Sequence, residues 1–298
     1  MSTKNWLKFI LLGALWGSVF LWIKIAQQEL DTLTIVAFRV SFALLGYVII
    51  FLALKRKLPL RQYWKTFLIL SLFNITLPFI VISWSQHYVS SGISSILNST
   101  STLITFMLAH WLIPVDKLSP AKAIGLIIGF VGVVVLMSDQ LNNGHGQVLT
   151  GQIGMLAGAT FYSLGSVYAR IKADNIPSEI IAMGQAVFGT LVMIPLAVSV
   201  EAPFQFPRLP ITWLAVIALG ILCTCISHLL FFSLLKSIGT RAQMVTYVMV
   251  FFATTLGVIF LGESPNWQFF TGGVLIISGI LIVNNPRGRN QNGRKQII

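Results

Sequence analysis

The feature that most constrains this chain is a series of long apolar runs with few or no charged residues. An α-helix rises about 1.5 Å per residue, so about 20 apolar residues cross the roughly 30 Å hydrocarbon core of a bilayer. Only 9% of the 298 residues are charged, against about 25% in soluble domains. We therefore predict an all-α polytopic membrane protein with ten transmembrane helices. The predicted spans are residues 6–27, 32–54, 66–87, 91–113, 119–138, 150–170, 177–200, 210–233, 239–261 and 266–284.

The basic residues predict how these helices are oriented in the membrane. With the N-terminus in the cytoplasm, 17 Lys and Arg fall in cytoplasmic segments, while only Lys24 and Arg208 fall on the outer side. This is the bias of the positive-inside rule, so we predict that both termini are cytoplasmic. The same distribution accounts for the net charge of +12 without nucleic acid as a partner. The basic tail 286–298 is expected to lie in solvent near anionic lipid.

The two halves of the chain resemble each other. Residues 90–137 match residues 237–283 at a shift of 147, and the earlier helices match at a shift of 146. The aligned pairs include Asp116 with Glu263, Trp16 with Tyr162, Lys24 with Arg170, and Arg39 with Gln185. Five helices per half is an odd number, so the second half must cross the membrane in the opposite sense to the first.

This arrangement predicts two inverted five-helix repeats, residues 1–140 and 148–285, followed by the tail 286–298. Inverted repeats are typical of secondary transporters, in which each half adopts the shape of the other around a site near the membrane midplane. A channel or a lipid scramblase can share this architecture, and an ancient duplication alone would leave the same trace.

Four stretches carry a resemblance to a known family: "ALWGSVFLWIKIA", "AFRVSFALL", "VDKLSPAKAIGLIIGFVGVVVL" and "LGESPNWQFFTGGVLIISGILIV". Their order, spacing and duplication resemble the EamA family of the drug/metabolite transporter superfamily. The resemblance implies a ten-helix carrier of small metabolites in the bacterial cytoplasmic membrane. Such carriers commonly export amino acids or related compounds, often in exchange for protons.

The chain departs from this family at one point. The family often has a proline in the fourth and ninth helices, where this chain has Thr102 and Met249, each 14 residues before an acid. Gating through a proline-weakened helix is therefore not expected at these two positions. Pro78 and Pro195 remain as expected kinks in the third and seventh spans.

Arg39 is the permanent charge that lies inside a predicted span, about seven residues or roughly 10 Å from its outer end. A charge facing lipid would cost several kcal/mol, so we expect the side chain to face the interior of the bundle. Two interpretations stay open. The guanidinium binds a substrate carboxylate in a central cavity, or it has a structural role, reaching the outer interface or pairing with Glu29 or Asp31.

Polar and aromatic residues on other spans complete the predicted site. The fourth span places Ser94, Asn98, Ser101 and Thr105 on one face, where they bind a zwitterion or simply pack against a neighbouring helix. Aromatic walls would suit an apolar side chain or a cation. The expected substrate-binding residues are Trp16, Arg39, Asn74, Trp84, Asn98, Thr102, Tyr162, Gln185 and Tyr247.

The sequence says less about the energy source. All eight acidic residues fall in loops or near helix ends, which argues against a single membrane-embedded acid as a proton carrier. His228 is the candidate for coupling, because histidine titrates near neutral pH and Thr224 lies one turn before it.

The expected partners are a small-molecule substrate, membrane lipids and protons, with no cofactor and no metal. A monomer and a homodimer both stay open. HExxH, GxSxG and Walker-type motifs are absent from the sequence, so a membrane enzyme ranks behind the carrier and behind a channel or scramblase.

Overall fold

The computed structural model describes residues 3–55, 58–113, 120–143, 146–238, 242 and 244–283. Every regular element in this part of the chain is helical. The predicted tail 286–298 and Asp116 lie outside the described residues. The α-helices α1–α13 are Thr3–Ala26, Thr32–Ala53, Leu60–Ser71, Leu77–Ser85, Ser91–Ser99, Ser101–Leu112, Pro120–Asn143, Gly146–Lys172, Ser178–Val200, Pro210–Ile217, Ser227–Ile238, Val245–Leu261 and Trp267–Val283.

Seven stretches among the described residues are long and apolar enough to cross a membrane. They are Thr3–Ala26, Thr32–Ala53, Leu60–Ser85, Ser91–Leu112, Pro120–Ser138, Ser178–Val200 and Pro210–Leu234. The 27-residue helix α8 and the shorter apolar helices α12 and α13 stand at the other three predicted positions. The polytopic all-α architecture thus fits, while the count of ten crossings and the side of each terminus remain predictions.

Two π-helical segments reveal the repeat in the structure. Leu72–Thr76 joins α3 to α4, and Ala218–Ile226 joins α10 to α11. They begin 146 residues apart, which is the shift that aligns the two halves in the sequence. A π-helical turn is wider than an α-helical turn by one residue. Such turns are frequent at functional sites, where they redirect side chains.

Helix packing follows the same pseudo-twofold relation. The helix pairs α2 with α9 and α7 with α13 each join equivalent helices of the two halves. Likewise, α1 packs along α12 in the way that α8 packs along α5 and α6. Gly132 and Gly272 let α7 and α13 touch, because a Cβ at either position would lie 2.8 Å from the other's carbonyl oxygen. These glycines therefore allow close packing of two helices within one chain.

The fourth span is interrupted at Thr100, which separates α5 from α6. The hydroxyls of Ser95, Ser99 and Thr100 donate to carbonyls three residues earlier, at 2.7, 2.6 and 2.6 Å. Such bonds compete with the backbone ladder and bend helices. In the span that lacks the family's proline at Thr102, the helical hydrogen-bond pattern thus changes two residues earlier, at Thr100, while the backbone there keeps right-handed helical angles. By contrast, α12 continues through Met249 without a break, and α9 continues through Pro195.

Three glutamates connect helices at one end of the bundle. Each carboxylate accepts hydrogen bonds from backbone N–H groups at the start of a helix far away in sequence. The pairs are Glu29 with Arg208 and Leu209, Glu201 with Leu33 and Thr34, and Glu263 with Ser91 and Gly92. These N–H groups have no partner within their own helix, and the helix dipole favours negative charge there. We call this the outer end, following the charge count, and the opposite end the inner end.

Candidate substrate-binding site

Arg39 lies in the interior of the bundle, with only 5% of its surface exposed. Its Nε donates to the Thr224 hydroxyl at 3.1 Å, and its guanidinium carbon lies 3.7 Å from the centre of the Phe79 ring. The Thr224 hydroxyl donates in turn to the Leu219 carbonyl, five residues earlier, at 2.7 Å. A spacing of five residues is that of a π-helical turn. The distortion of the eighth span therefore directs the hydroxyl toward the arginine.

The guanidinium has no acidic partner among the described residues. The groups that interact electrostatically with it are Tyr162, Cys223 and His228. Its predicted pairing with Glu29 or Asp31 is wrong. Glu29 accepts the Arg208 and Leu209 N–H groups, and Asp31 accepts the Gln205 amide at 2.8 Å. The alternative in which Arg39 reaches the outer interface is also wrong, because the side chain is buried.

Tyr162 is the predicted aromatic residue that lies beside Arg39. Its ring centre is 6.5 Å from that of Phe79, which also covers the guanidinium. The neighbouring Ser163 hydroxyl donates to the Ser101 carbonyl at 2.8 Å. Tyr162 is therefore level with the break between α5 and α6, and the arginine and the polar fourth span belong to one layer of the bundle.

Asn98 and Thr102 lie on either side of this break and are both half-buried. The side-chain oxygen of Asn98 and the hydroxyl of Ser94 have no hydrogen-bond partner in the described part of the chain. Buried polar atoms normally find partners, so groups left without one often mark a site for water or a ligand.

Trp16 and His228 extend the site toward the inner end. The Trp16 ring lies 5.3 Å from that of Phe231, while the His228 ring lies 6.2 Å from that of the next residue, Phe232. His228 Nδ1 is 2.5 Å from the Thr224 carbonyl oxygen, so its tautomer with a proton on Nδ1 donates there. Tyr247 lies in the first turn of α12 and packs against the same apolar core as Trp16.

Three further expected residues make their described contacts away from Arg39. Asn74 lies against Gly165 on the π segment of the third span. Trp84 is 36% exposed and its ring packs on Tyr88 near the outer end. Gln185 bonds to the carbonyl of Ile181 in its own helix at 3.3 Å.

Phe79 is the contact that the sequence interpretation missed. The one signal available was its place directly after Pro78 in a predicted kink. Cys223 and Cys225 are both buried and form no disulfide. The described residues hold no group of three His, Cys, Asp or Glu side chains arranged to bind a metal ion.

Comparison with known proteins identifies the family. The profile of the EamA-like transporter family matches residues 4–138 and again residues 149–285. The chain belongs to this family. The resemblance found in the sequence is thereby confirmed, and the protein is a multi-pass integral membrane protein of the transporter type.

Relatives of similar length support this assignment. An uncharacterized transporter of Archaeoglobus fulgidus is 23% identical over 95% of this chain and 98% of its own. The uncharacterized transporter YvbV of Bacillus subtilis is 27% identical over 95% and 92%. The probable amino-acid metabolite efflux pump of Escherichia coli is 23% identical over 95% of both chains. A crystal structure at 19% identity has a TM-score of 0.70 over 97% of this chain and 100% of that one, and it shows the fold alone.

Proposed function

We propose that this protein is a secondary transporter that exports amino acids or related small metabolites by alternating access. Its place would be the bacterial cytoplasmic membrane, with both termini in the cytoplasm and the inverted repeats 1–140 and 148–285 forming the two halves. The family, the transporter relatives and the positive-inside bias support this proposal. The amino-acid cargo rests on the name of the efflux pumps among the relatives and on the chemistry of the Arg39 site.

The observation that carries the proposal is a buried positive charge for which the described part of the chain holds no buried negative one. Placing an arginine at the centre of a membrane helix costs about 3 kcal/mol on insertion scales. A hydroxyl and an aromatic face offset part of that cost, but neither supplies a counter-charge. A carboxylate on the substrate would supply it, in the planar two-oxygen geometry that a guanidinium recognises. Arg39 thus favours an anionic or zwitterionic cargo.

The surrounding residues divide into roles within this proposal. Thr224 and Phe79 hold the guanidinium, and Tyr162 lies beside the carboxylate position. Asn98 and Thr102 offer an amide and a hydroxyl to the polar part of an amino acid. The remaining residues of the proposed site, Trp16, Tyr247 and the more distant Asn74, Trp84 and Gln185, are assigned to its walls. His228 is kept as a candidate for proton coupling.

The first test is a search for the cargo with purified protein in detergent. A ligand that binds only the folded state raises the free energy of unfolding by mass action, by about 2.7 kcal/mol at 100 times its Kd, and so raises the melting temperature. We expect amino acids or their derivatives to raise the melting temperature and amines without a carboxylate to leave it unchanged. Stabilisation by amines alone would contradict the role given to Arg39.

The second test measures flux in proteoliposomes loaded with the amino acid found in the screen. Arg39→Gln should lower transport by about 10- to 150-fold, since charged hydrogen bonds contribute about 1.5–3 kcal/mol. Arg39→Lys should keep a part of it, because a lysine restores the charge but not the planar fork. Arg208→Gln, at the outer end, is the matched control and should transport normally. Saturable, competed flux supports a carrier, whereas flux that rises linearly with concentration supports the channel or scramblase alternative.

A further inference from the structure

Helix α8 packs against its neighbours through two different faces. One face carries Gly151, Gly154 and Gly158, which lie against α4 and the turn that follows it. A Cβ at any of these three glycines would come within 2.8 Å of an atom of that segment. Because a side chain larger than hydrogen would force the helices apart, α8 and α4 are packed at the closest possible range along this face.

The other face of α8 contacts α5 and α6. Toward its inner end the Ser163 hydroxyl donates to the Ser101 carbonyl at 2.8 Å. Toward its outer end Val148 borders the same cavity as Ser90, the residue before α5. The two spans therefore run side by side in the same direction. Gln152 lies one turn from Val148 and about three turns from Ser163, so it lies on this face, level with the first turns of α5.

Gln152 is fully buried, yet neither its amide nitrogen nor its amide oxygen has a hydrogen-bond partner in the described part of the chain. Ser94 of α5 is fully buried as well, and its hydroxyl also has no partner among the described residues. The adjacent Ser95 differs, because its hydroxyl donates to the Gly92 carbonyl at 2.7 Å. Buried polar groups normally find partners, and an amide can both donate and accept. The interface of α5 and α8 therefore holds polar groups whose partners are not within the described chain.

These groups lie between an outer cavity and the candidate substrate site. The cavity has a volume of about 330 Å³ and is bordered by Ser90 and Val148. One turn further in, Ser94 follows Ser90 on α5 and Gln152 follows Val148 on α8. Asn98 of the candidate site comes one turn after Ser94. A row of polar side chains thus leads from the outer end to the layer of the bundle that contains the site.

We propose that Gln152 and Ser94 form a second substrate-binding subsite, through which the cargo passes from the Arg39 site to the outer side. In the closed arrangement of α5 and α8 both side chains are left without partners. When this interface separates, water and the polar end of an amino acid supply them. The amide nitrogen and the hydroxyl donate to the carboxylate, and the amide oxygen accepts from the ammonium group. This inference rests on the amino-acid export proposed above.

The absence of charge suits a site of release. Neither α5 nor the segment 146–160 of α8 contains a charged residue. Charge-assisted hydrogen bonds, such as Arg39 would make to a carboxylate, are about twice as strong as neutral ones. Gln152 and Ser94 offer neutral donors and acceptors, so the cargo is held more weakly there than at the centre. Since the glycines keep α8 on α4, the interface with α5 is the side of α8 that separates.

The first test needs no cargo and compares two adjacent serines. Ser94 and Ser95 are both fully buried, but only the Ser95 hydroxyl is bonded. A membrane-impermeant methanethiosulfonate reagent, applied to intact cells, should modify Ser94→Cys about tenfold faster than Ser95→Cys. The reason is that only position 94 becomes wet in the minor state in which the interface is open. The parent chain, which keeps Cys223 and Cys225, gives the background.

A second pair of variants repeats the comparison on α8. Gln152 and Met155 are both fully buried, but Met155 lies in the apolar core. Gln152→Cys should therefore react about tenfold faster than Met155→Cys with the same reagent.

The transport test replaces the amide by an apolar group of similar size. In Gln152→Leu the melting temperature of the cargo-free protein should stay equal or rise, because an unpaired buried amide is removed. The Kd for the amino acid, read from ligand-dependent melting temperatures, should stay within about twofold, while the maximal transport rate falls about tenfold. Gln152→Asn keeps the amide and should retain more transport than Gln152→Leu. Arg39→Gln differs from both variants, because it should lose binding itself.

The proposal is overturned by equal labelling within both cysteine pairs, or by an unchanged maximal rate in Gln152→Leu. If Gln152→Leu does not fold, the serine pair decides alone. Faster labelling of Ser94→Cys in a protein that moves no amino acid would support the outer opening and refute the proposed cargo. Normal amino-acid transport without labelling at positions 94 and 152 would instead support the cargo and refute this subsite.

Discussion

The centre of the bundle and its outer end treat charge in opposite ways. At the outer end, Glu29, Glu201 and Glu263 each meet N–H donors at the start of a distant helix. At the centre, Arg39 meets the Thr224 hydroxyl and the Phe79 ring, with no acid in the described part of the chain. The difference suggests that compensated charges hold helices together, while the uncompensated charge is kept for a ligand.

The strongest test of this difference is to give Arg39 a permanent counter-ion. In Thr224→Asp, the new carboxylate would replace the Thr224 hydroxyl beside Arg39 Nε and neutralise the charge that a substrate carboxylate is proposed to meet. Transport of the amino acid should fall by roughly 100-fold, while the melting temperature stays equal or rises, because a buried ion pair replaces an unpaired charge.

Thr224→Asn is the matched control for that experiment. It has nearly the same size as the aspartate and can accept from Arg39 Nε, but it carries no charge. It should therefore retain substantially more transport than Thr224→Asp in the same proteoliposomes. Equal activity of the two variants would mean that the charge on Arg39 is not needed by the substrate.

A smaller effect is expected when only the positioning of Arg39 is disturbed. Thr224→Val keeps the shape of the side chain and removes the acceptor of Arg39 Nε. Substrate affinity, read from ligand-dependent melting temperatures, should weaken by about tenfold, the equivalent of about 1.4 kcal/mol.

Ser227→Ala controls for hydroxyl loss in the same helix. Its hydroxyl is fully buried and bonds to the Cys223 carbonyl at 2.6 Å. Affinity in this variant should stay within about twofold of the parent value, since no contact with Arg39 is lost. A similar loss in both variants would assign the effect to the helix rather than to the arginine.

The smallest effect on transport is expected at the outer end. In Glu201→Gln one amide oxygen replaces the two carboxylate oxygens that accept the Leu33 and Thr34 N–H groups, so the variant loses one acceptor and the interaction of the charge with the helix dipole. Together these are worth about 1–2 kcal/mol, or about 2–6 °C in melting temperature for a chain of this size. Scanning fluorimetry should show this loss with unchanged transport. Ser199→Ala, two residues earlier in the chain, is the control and should leave stability the same. A transport defect in Glu201→Gln would contradict the purely structural role.

Much of the architecture follows from the sequence because it depends on local composition. Long apolar runs predict where helices lie, and Lys and Arg counts predict their orientation. The repeat shift of 146 also predicts where the second π-helical segment begins once the first is known. The π geometry itself was not foreseen, since nothing in "LFNIT" distinguishes it from an ordinary apolar helix. The break at Thr100 was missed for a similar reason, because no proline marks it.

The site was only partly predictable, because a helix sequence does not fix its rotation within a bundle. Tyr162 lies beside Arg39, whereas Trp84 lies near the rim. Hydropathy cannot distinguish a tryptophan that faces lipid from one that faces the bundle, since lipid is as apolar as the protein interior. Contacts between helices decide which face turns inward.

The sequence by itself determined that this chain is a helical membrane protein built as a repeat, and it singled out Arg39 as an unusual charge. Only the tertiary structure decided what that charge meets. Its hydrogen-bond partner Thr224 lies 185 residues away, and Glu29 and Asp31, the nearest acids in sequence, bond elsewhere. Pairings over such distances depend on the packing of all the intervening helices, so local sequence patterns do not reveal them.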